Sequence, residues 1–272
     1  MTKTVQDLNA KARWLRIETL RIHRNAPETR IASGLSCVEI LAVLYYGGIL
    51  RHKPTDPSWA GRDRLVISKG HGGITLYPIL AELGYLEPNE LAQIGRPGSR
   101  LGSIPDATIP GFETTNGSMG HGLGLACGMA LGLKKRHRDE SVFVLCGDGE
   151  LFSGAMWEAV MLTGQLGLDN LCAIVDNNQR SMLDDVKNIV DMAPLPEKFA
   201  MFKWSAAAVD GHDVQALHTA LGSMRKERQA RPKVLVANTI KGKGIPSLET
   251  DPLCHTRTLS AKQVEDGIKS LS

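Results

Sequence analysis

The feature that most constrains this chain is a strand–turn–helix–strand pattern between residues 141 and 178. Ser141-Val142-Phe143-Val144-Leu145-Cys146 is an apolar, β-branched run of strand length, and it ends in Gly147-Asp148-Gly149-Glu150. A run of this kind reads as a buried parallel strand. Ser153 is placed to cap a helix whose apolar positions Ala155, Val160, Leu162 and Leu166 are spaced along one face. Leu171 to Val175 then reads as a second buried strand, with Asp176-Asn177-Asn178 at its carboxyl end. The crossover of such a βαβ unit is almost always right-handed. Both polar tips therefore emerge on one sheet edge, where open α/β folds bind ligands. The expected fold class is α/β, a mostly parallel sheet with helices on both faces.

The chemistry of those tips is specific. Asp148 offers a hard carboxylate, Asn178 an amide oxygen, and the backbone carbonyl of Arg180 lies within reach. Mg²⁺ favours a few protein oxygens in octahedral geometry, with phosphate oxygens completing the shell. The N–H of Gly149 and the start of the following helix add donors for an anion. The combination suits a diphosphate held through a metal. Either piece alone is equally a tight turn or a strand end; their spacing within one crossover makes the case.

Bulk properties narrow the function classes. With 272 residues the chain can bury a real core, and the absence of repeats, linkers or low-complexity segments points to a single domain over 1–272. A net charge of +3, dispersed along the chain, gives no footprint for nucleic acid. The basic cluster Lys134-Lys135-Arg136-His137-Arg138 ends a helix, where cations complement the dipole. Five cysteines without CxxC spacing fit a reducing, cytoplasmic setting. Met1 to Ala10 is polar and no apolar run is long enough for a bilayer, so neither a signal peptide nor a membrane partner is expected.

Along the rest of the chain, residues 5–24 read as an amphipathic helix with Leu8, Ala12, Leu15, Thr19 and Ile22 on one side. Ser36 is expected to cap a helix from Val38 to Leu44, with Glu39 at capping-box spacing. Leu65 to Ser68 reads as a short strand followed by His71. Residues 95–115 read as a long irregular loop, a length that usually signals function or disorder. In the helix Leu123 to Leu133, Gly124, Gly128 and Gly132 recur every four residues, which suggests close packing on the sheet. Trp204 to Val209 reads as an edge strand and Lys233 to Ile240 as the last strand. Lys241-Gly242-Lys243-Gly244 follows as a flexible basic loop at a strand's carboxyl end.

Several of these stretches together resemble the transketolase family. The Gly147-Asp148-Gly149 to Asn177-Asn178 element resembles its thiamine diphosphate motif. Arg62-Asp63-Arg64-Leu65-Val66-Ile67-Ser68-Lys69-Gly70-His71 is similar to that family's RDRFVLSKGHA stretch. Gly117-Ser118-Met119-Gly120-His121-Gly122 resembles its GSLGxG turn, and Asp210-Gly211-His212-Asp213 its helix cap. The resemblance implies the thiamine diphosphate-binding fold, with thiamine diphosphate and Mg²⁺ (or Ca²⁺ or Mn²⁺) as cofactors. It implies metal ligation by Asp148, Asn178 and the Arg180 carbonyl. It implies cofactor contacts from His71, Gly117, Ser118, Met119, Gly147, Gly149, Glu150, Asn178 and His255. His71, His255 and the subunit-interface residue Glu158 would serve catalysis, and His212 a structural role.

Two departures fall on the substrate side. The family's His-Pro-Gly-Gly-Ser-Leu-Ser reads Arg30-Ile31-Ala32-Ser33-Gly34-Leu35-Ser36 here, so a histidine has become Arg30. The family's Gly-His-Pro reads Ser103-Ile104-Pro105, so a second histidine has become Ile104. Where relatives often carry Gln-Glu-Gly, this chain has Phe152-Ser153-Gly154.

The resemblance covers an amino-terminal half. The family's catalytic glutamate lies in a domain with no counterpart here, so a second subunit is expected, as an α₂β₂ assembly carrying the pyrimidine-binding and carboxy-terminal domains. The expected activity is transfer of a two-carbon unit from a ketose or 2-oxo donor to an aldehyde, with small-molecule substrates. A split 2-oxo acid dehydrogenase or acyloin-forming component is the alternative; it shares the GDG…NN element without the SKGH, GSMGHG and DGHD stretches. A non-catalytic nucleotide-binding module is the third class.

Overall fold

A computed structural model describes residues 4–115 and 117–272, so Met1 to Lys3, part of the polar opening, lie outside the described residues. Five strands, β1 (Arg64–Ile67), β2 (Val142–Gly147), β3 (Leu171–Asn177), β4 (Ser205–Asp210) and β5 (Lys233–Asn238), form one sheet in the order β1-β2-β3-β5-β4. Every pairing is parallel, so every carboxyl end meets the same edge. The Ser141–Cys146 and Leu171–Val175 runs are the buried strands β2 and β3, and Trp204–Val209 supplies the edge strand β4. Along β2 the side chains alternate between two cores. Phe143 and Leu145 join one, and Val142, Val144 and Cys146 the other.

Among the described residues, eleven α-helices accompany the sheet: α1 (Val5–Asn25), α2 (Ile31–Leu35), α3 (Val38–Tyr46), α4 (Leu76–Glu82), α5 (Gly122–Lys135), α6 (Gly154–Gln165), α7 (Val186–Ile189), α8 (Leu195–Met201), α9 (Val214–Lys226), α10 (Pro246–Glu249) and α11 (Ala261–Leu271). Helices α1, α3 and α9 cover one face, while α5, α6 and α8 cover the other. The 3.6-residue pattern of α1 is realised in full: Leu8, Ala12, Leu15, Thr19 and Ile22 are all buried. All five cysteines are free and buried. Among the described residues, no helix is long and apolar enough to cross a membrane.

Five local expectations need correction. Ser36 does not cap α3: Cys37 holds that position, and the Ser36 hydroxyl donates to Asp176 Oδ2 at 2.6 Å. Glu39 is used for tertiary pairing with Arg16 and His212 rather than for a capping box. Ser153 does precede α6 but makes no capping hydrogen bond, and that helix buries Met156, Ala159, Val160 and Thr163. Leu162 and Leu166, expected inside, are 53% and 39% exposed. On α5 the sheet-facing residues are Leu123, Ala126, Cys127 and Ala130, whereas Gly124, Gly128 and Gly132 look outward into open space. Periodicity found both helices but not the face, because both carry apolar or small residues on two sides.

Candidate functional site

A cavity of about 270 Å³ opens at the carboxyl edge of β1, β2, β3 and β5. Four sequence segments converge on it: Lys69 and His71 after β1, Gly147 to Glu150 after β2, Asn178 and Arg180 after β3, and Lys241 after β5. Gly117 and Met119 from the turn before α5, Ile104 from the long loop, and His255 complete the polar side and its walls. The structure thus brings together eleven of the sequence-derived site residues. Ser118, Arg30 and Glu158 do not line the cavity. Glu158 sits on the exposed side of α6, and the influence of Arg30 is electrostatic, as shown below.

The metal-ligand candidates meet as expected. Asp148 is 3% exposed, its Oδ1 accepting from the N–H of Gly149 (2.8 Å) and its Oδ2 from that of Gln179 (2.5 Å). Burial, reinforced by the neighbouring Asp176 charge, raises its pKa. Asn178 is also buried, its Oδ1 accepting from the N–H of Arg180 at 3.2 Å. The Arg180 carbonyl accepts from Lys241 Nζ at 2.7 Å. The loop expected to be flexible is therefore packed: Lys241 is 5% exposed, and burial together with Lys69 lowers its pKa. A buried carboxylate, an amide oxygen and a carbonyl that already draws an ammonium group form a donor set suited to a hard cation.

Beneath this lies an ion pair that sequence reading missed. Lys69 Nζ pairs with Asp176 and also donates to the Ser33 carbonyl (3.0 Å) and Ser36 Oγ (3.1 Å). The fully buried Asp176 also accepts from Thr239. No spacing signal could have revealed it, since its members come from four separate segments. The lysine's place within the SKGH stretch was its one trace.

The turns that frame the cavity are pinned by Glu150. This carboxylate accepts from Ser68 Oγ (2.5 Å), the Gly147 N–H (2.7 Å) and the Gly120 N–H (2.9 Å). It therefore ties the Gly147-Asp148-Gly149 turn to the Gly117–Gly122 turn. Gly122 is required where α5 begins, because a Cβ there would lie 2.4 Å from the Ser68 side chain and 2.8 Å from its Cα. Gly120 adopts φ +88°, a conformation L side chains rarely take.

His71 and His255 stack edge to face with ring centroids 5.2 Å apart. Burial lowers both pKa values, helped at His71 by Arg30 and Lys241 and at His255 by Lys241 and His71; His255 falls to about 3. Both rings are thus neutral near pH 7 and act as hydrogen-bonding groups rather than charges. His212 lies behind the Lys241 loop. Its Nε2 accepts from the Ile240 N–H (2.8 Å), which leaves Nδ1–H to donate to Glu39 (3.0 Å). Arg16 pairs with the same Glu39 and donates to the carbonyls of Leu35 (2.8 Å) and Lys243 (2.6 Å).

Residues 11–271 match the family described as transketolase, thiamine diphosphate binding domain. The chain belongs to the transketolase family. It is 37% identical to a transketolase family protein of Sinorhizobium fredii, over 96% of this chain and 94% of that one. It is 34% identical to a 6-deoxy-6-sulfo-D-fructose transketolase subunit of a Clostridium strain, over 100% of this chain and 98% of that one. A transketolase crystal structure from Campylobacter jejuni superposes with a TM-score of 0.92 at 29% identity, covering 99% of this chain and 43% of the other. In extent the chain therefore corresponds to the amino-terminal subunit of split transketolases, transferases with a thiamine diphosphate-binding α/β fold.

Proposed function

We propose that this chain is a single domain, over residues 1–272, that holds the cofactor of a two-subunit enzyme moving a two-carbon unit from a ketose or 2-oxo donor to an aldehyde. The observation that carries the reading is the buried Asp148 carboxylate, lining the cavity beside Asn178 at the ends of adjacent strands. Asp148, the Asn178 side chain and the Arg180 carbonyl are the oxygens for Mg²⁺, with Ca²⁺ or Mn²⁺ able to stand in. Gly147 and Gly149 offer backbone close to the diphosphate, Lys241 offsets its charge, and the neutral His71 and His255 hydrogen-bond it. Gly117 and Met119 bear on the rings, with Ser118 between them in the same turn, while Glu150 holds that turn in register with the metal turn. Thiamine diphosphate, when bound, supplies the carbanion-stabilising ring that no side chain provides.

The catalytic glutamate comes from a partner subunit in an α₂β₂ assembly, and Glu158 on α6 lies toward that contact. The subunit-sized transketolases among the relatives support a partner, as do the exposed Leu162, Leu166 and Leu125 on α6 and α5. Five buried thiols suit a cytoplasmic setting.

Isothermal titration of thiamine diphosphate with and without Mg²⁺ tests the reading. Asp148→Ala should weaken Mg²⁺-dependent binding by at least about 100-fold, the upper end of what even a second-sphere change costs. Stability should hold, because burial already disfavours this carboxylate. Unchanged affinity in the variant would sink the assignment.

A further inference from the structure

By resemblance Arg30 and Ile104 stand where the family carries histidines, and the structure describes the surroundings of both. Arg30 immediately precedes α2 and is half-buried. Among the described residues its side chain makes no hydrogen bond and no ion pair. Ser33, three residues further along the same segment, lines the cavity with its Oγ 3.4 Å from His255 Nδ1, and the Arg30 charge bears on both His71 and His255. The cations that line the cavity are answered, Arg180 by the Asp251 carbonyl at 2.6 Å. Lys69 pairs with Asp176, and Lys241 donates to the Arg180 carbonyl and interacts with the Asp148 charge. Arg30 is the cation near the two histidines for which the described residues supply no partner.

Ile104 lines the same cavity, and its loop is pinned on both sides. Tyr77 donates to the Gly102 carbonyl at 2.8 Å, and the Pro105 ring lies 2.6 Å from where a Cβ on Gly73 would sit. These contacts hold Ile104 in the cavity wall. A substrate hydroxyl against Ile104 therefore lacks a partner, whereas a methyl group loses nothing.

We propose that Arg30 and Ile104 together select the donor, and that the donor they fit is a methyl-ended 2-oxo acid, pyruvate being the simplest. The proposal rests on the thiamine diphosphate reading of the same cavity. The planar guanidinium of Arg30 takes the carboxylate through two parallel hydrogen bonds, and Ile104 takes the methyl. The reaction balances without an oxidant. The bond between the keto carbon and the carboxylate breaks, CO₂ leaves, and the electron pair stays with the keto carbon. That carbon bonds to the aldehyde carbon, and the aldehyde oxygen takes a proton to give an acyloin.

The test uses this chain reconstituted with its partner subunit. Three quantities are measured: thiamine diphosphate affinity, pyruvate affinity in the complex loaded with oxythiamine diphosphate (which lacks the pyrimidine amino group and does not turn over), and competition between pyruvate and xylulose 5-phosphate with a common aldehyde. The wild type should prefer pyruvate and release its carboxylate as CO₂. Arg30→Gln should raise the pyruvate Kd by about ten- to a hundredfold, the range for a lost charged hydrogen bond, with thiamine diphosphate affinity unchanged. Ile104→His should shift preference toward the ketose phosphate. A wild-type preference for xylulose 5-phosphate, or pyruvate binding indifferent to Arg30→Gln, would overturn the proposal. Loss of thiamine diphosphate affinity in Arg30→Gln would also overturn it, by assigning Arg30 to the diphosphate. Wild-type failure to bind thiamine diphosphate at all would instead remove the underlying functional reading.

Discussion

The strand-end edge and the outer face of α5 and α6 are neighbours in sequence, yet the chain completes only the first. At the edge, Asp176, Lys69, Glu150 and Asp148 are buried polar groups, each met by partners from other segments. On the outer face, Leu125, Met161 and Leu162 are 44%, 47% and 53% exposed, beside glycines with open space above them. Buried polar groups need partners at once, since an unmet one costs about 1–3 kcal/mol. Exposed apolar groups carry no such urgency. The fold therefore fixes its ligand edge by itself and leaves the outer face to another surface.

The harshest way to break this contrast is to unpair the edge. Lys69→Met should leave Asp176 as an uncompensated buried charge and cost about 3–5 kcal/mol of stability. Chemical denaturation would show it, and a loss under about 1 kcal/mol would mean the edge is less rigid than described. A second probe is the anchor behind His255. His23 is fully buried, its Nε2 accepting from the Leu259 N–H (3.1 Å) and its Nδ1 meeting Thr29 Oγ1 (2.8 Å). Burial lowers its pKa from 6.5 to about 4. Because the folded value lies below the unfolded one, the unfolded chain takes the proton first. Stability is full above pH 6.5 and falls as pH drops toward 4, by roughly 3 kcal/mol. A pH series on His23→Gln should lack that component; an identical slope would show that other groups carry it.

The mildest probe is on the open face. Leu162→Glu should change the stability of the lone chain by no more than about 0.5 kcal/mol, as for an ordinary surface site. It should nevertheless weaken association with the partner subunit, measured by analytical ultracentrifugation. Undiminished association would place the contact elsewhere.

This contrast also explains what the sequence disclosed. The GDG…NN unit was legible because strand, turn and crossover are local and periodic, and the five-strand parallel sheet followed from it. The SKGH and GSMG stretches gave His71 and Met119 by resemblance, and both line the cavity. Hidden from the sequence were the contacts made across the sheet: the Lys69–Asp176 pair, Ser36 used on Asp176 rather than on a cap, and Glu150 as a brace. These depend on side chains more than 30 residues apart, which no window resolves. Leu162, Leu166 and the α5 glycines were read inward because apolar or small residues at helical spacing carry no label for which surface they meet.

The outward glycines of α5 have one more consequence, for motion. Each costs a helix about 1 kcal/mol relative to alanine, and on the open face nothing packs over them in return. Helix α5 is therefore the weakest shield over its side of the sheet. Its amides should exchange with solvent by local opening well below the global unfolding free energy, and faster than those of α1. Alanine at Gly124, Gly128 and Gly132 should slow that exchange. Since α5 begins at Gly122, directly after the turn that walls the cavity, that exchange should be read first beside the cavity's own wall.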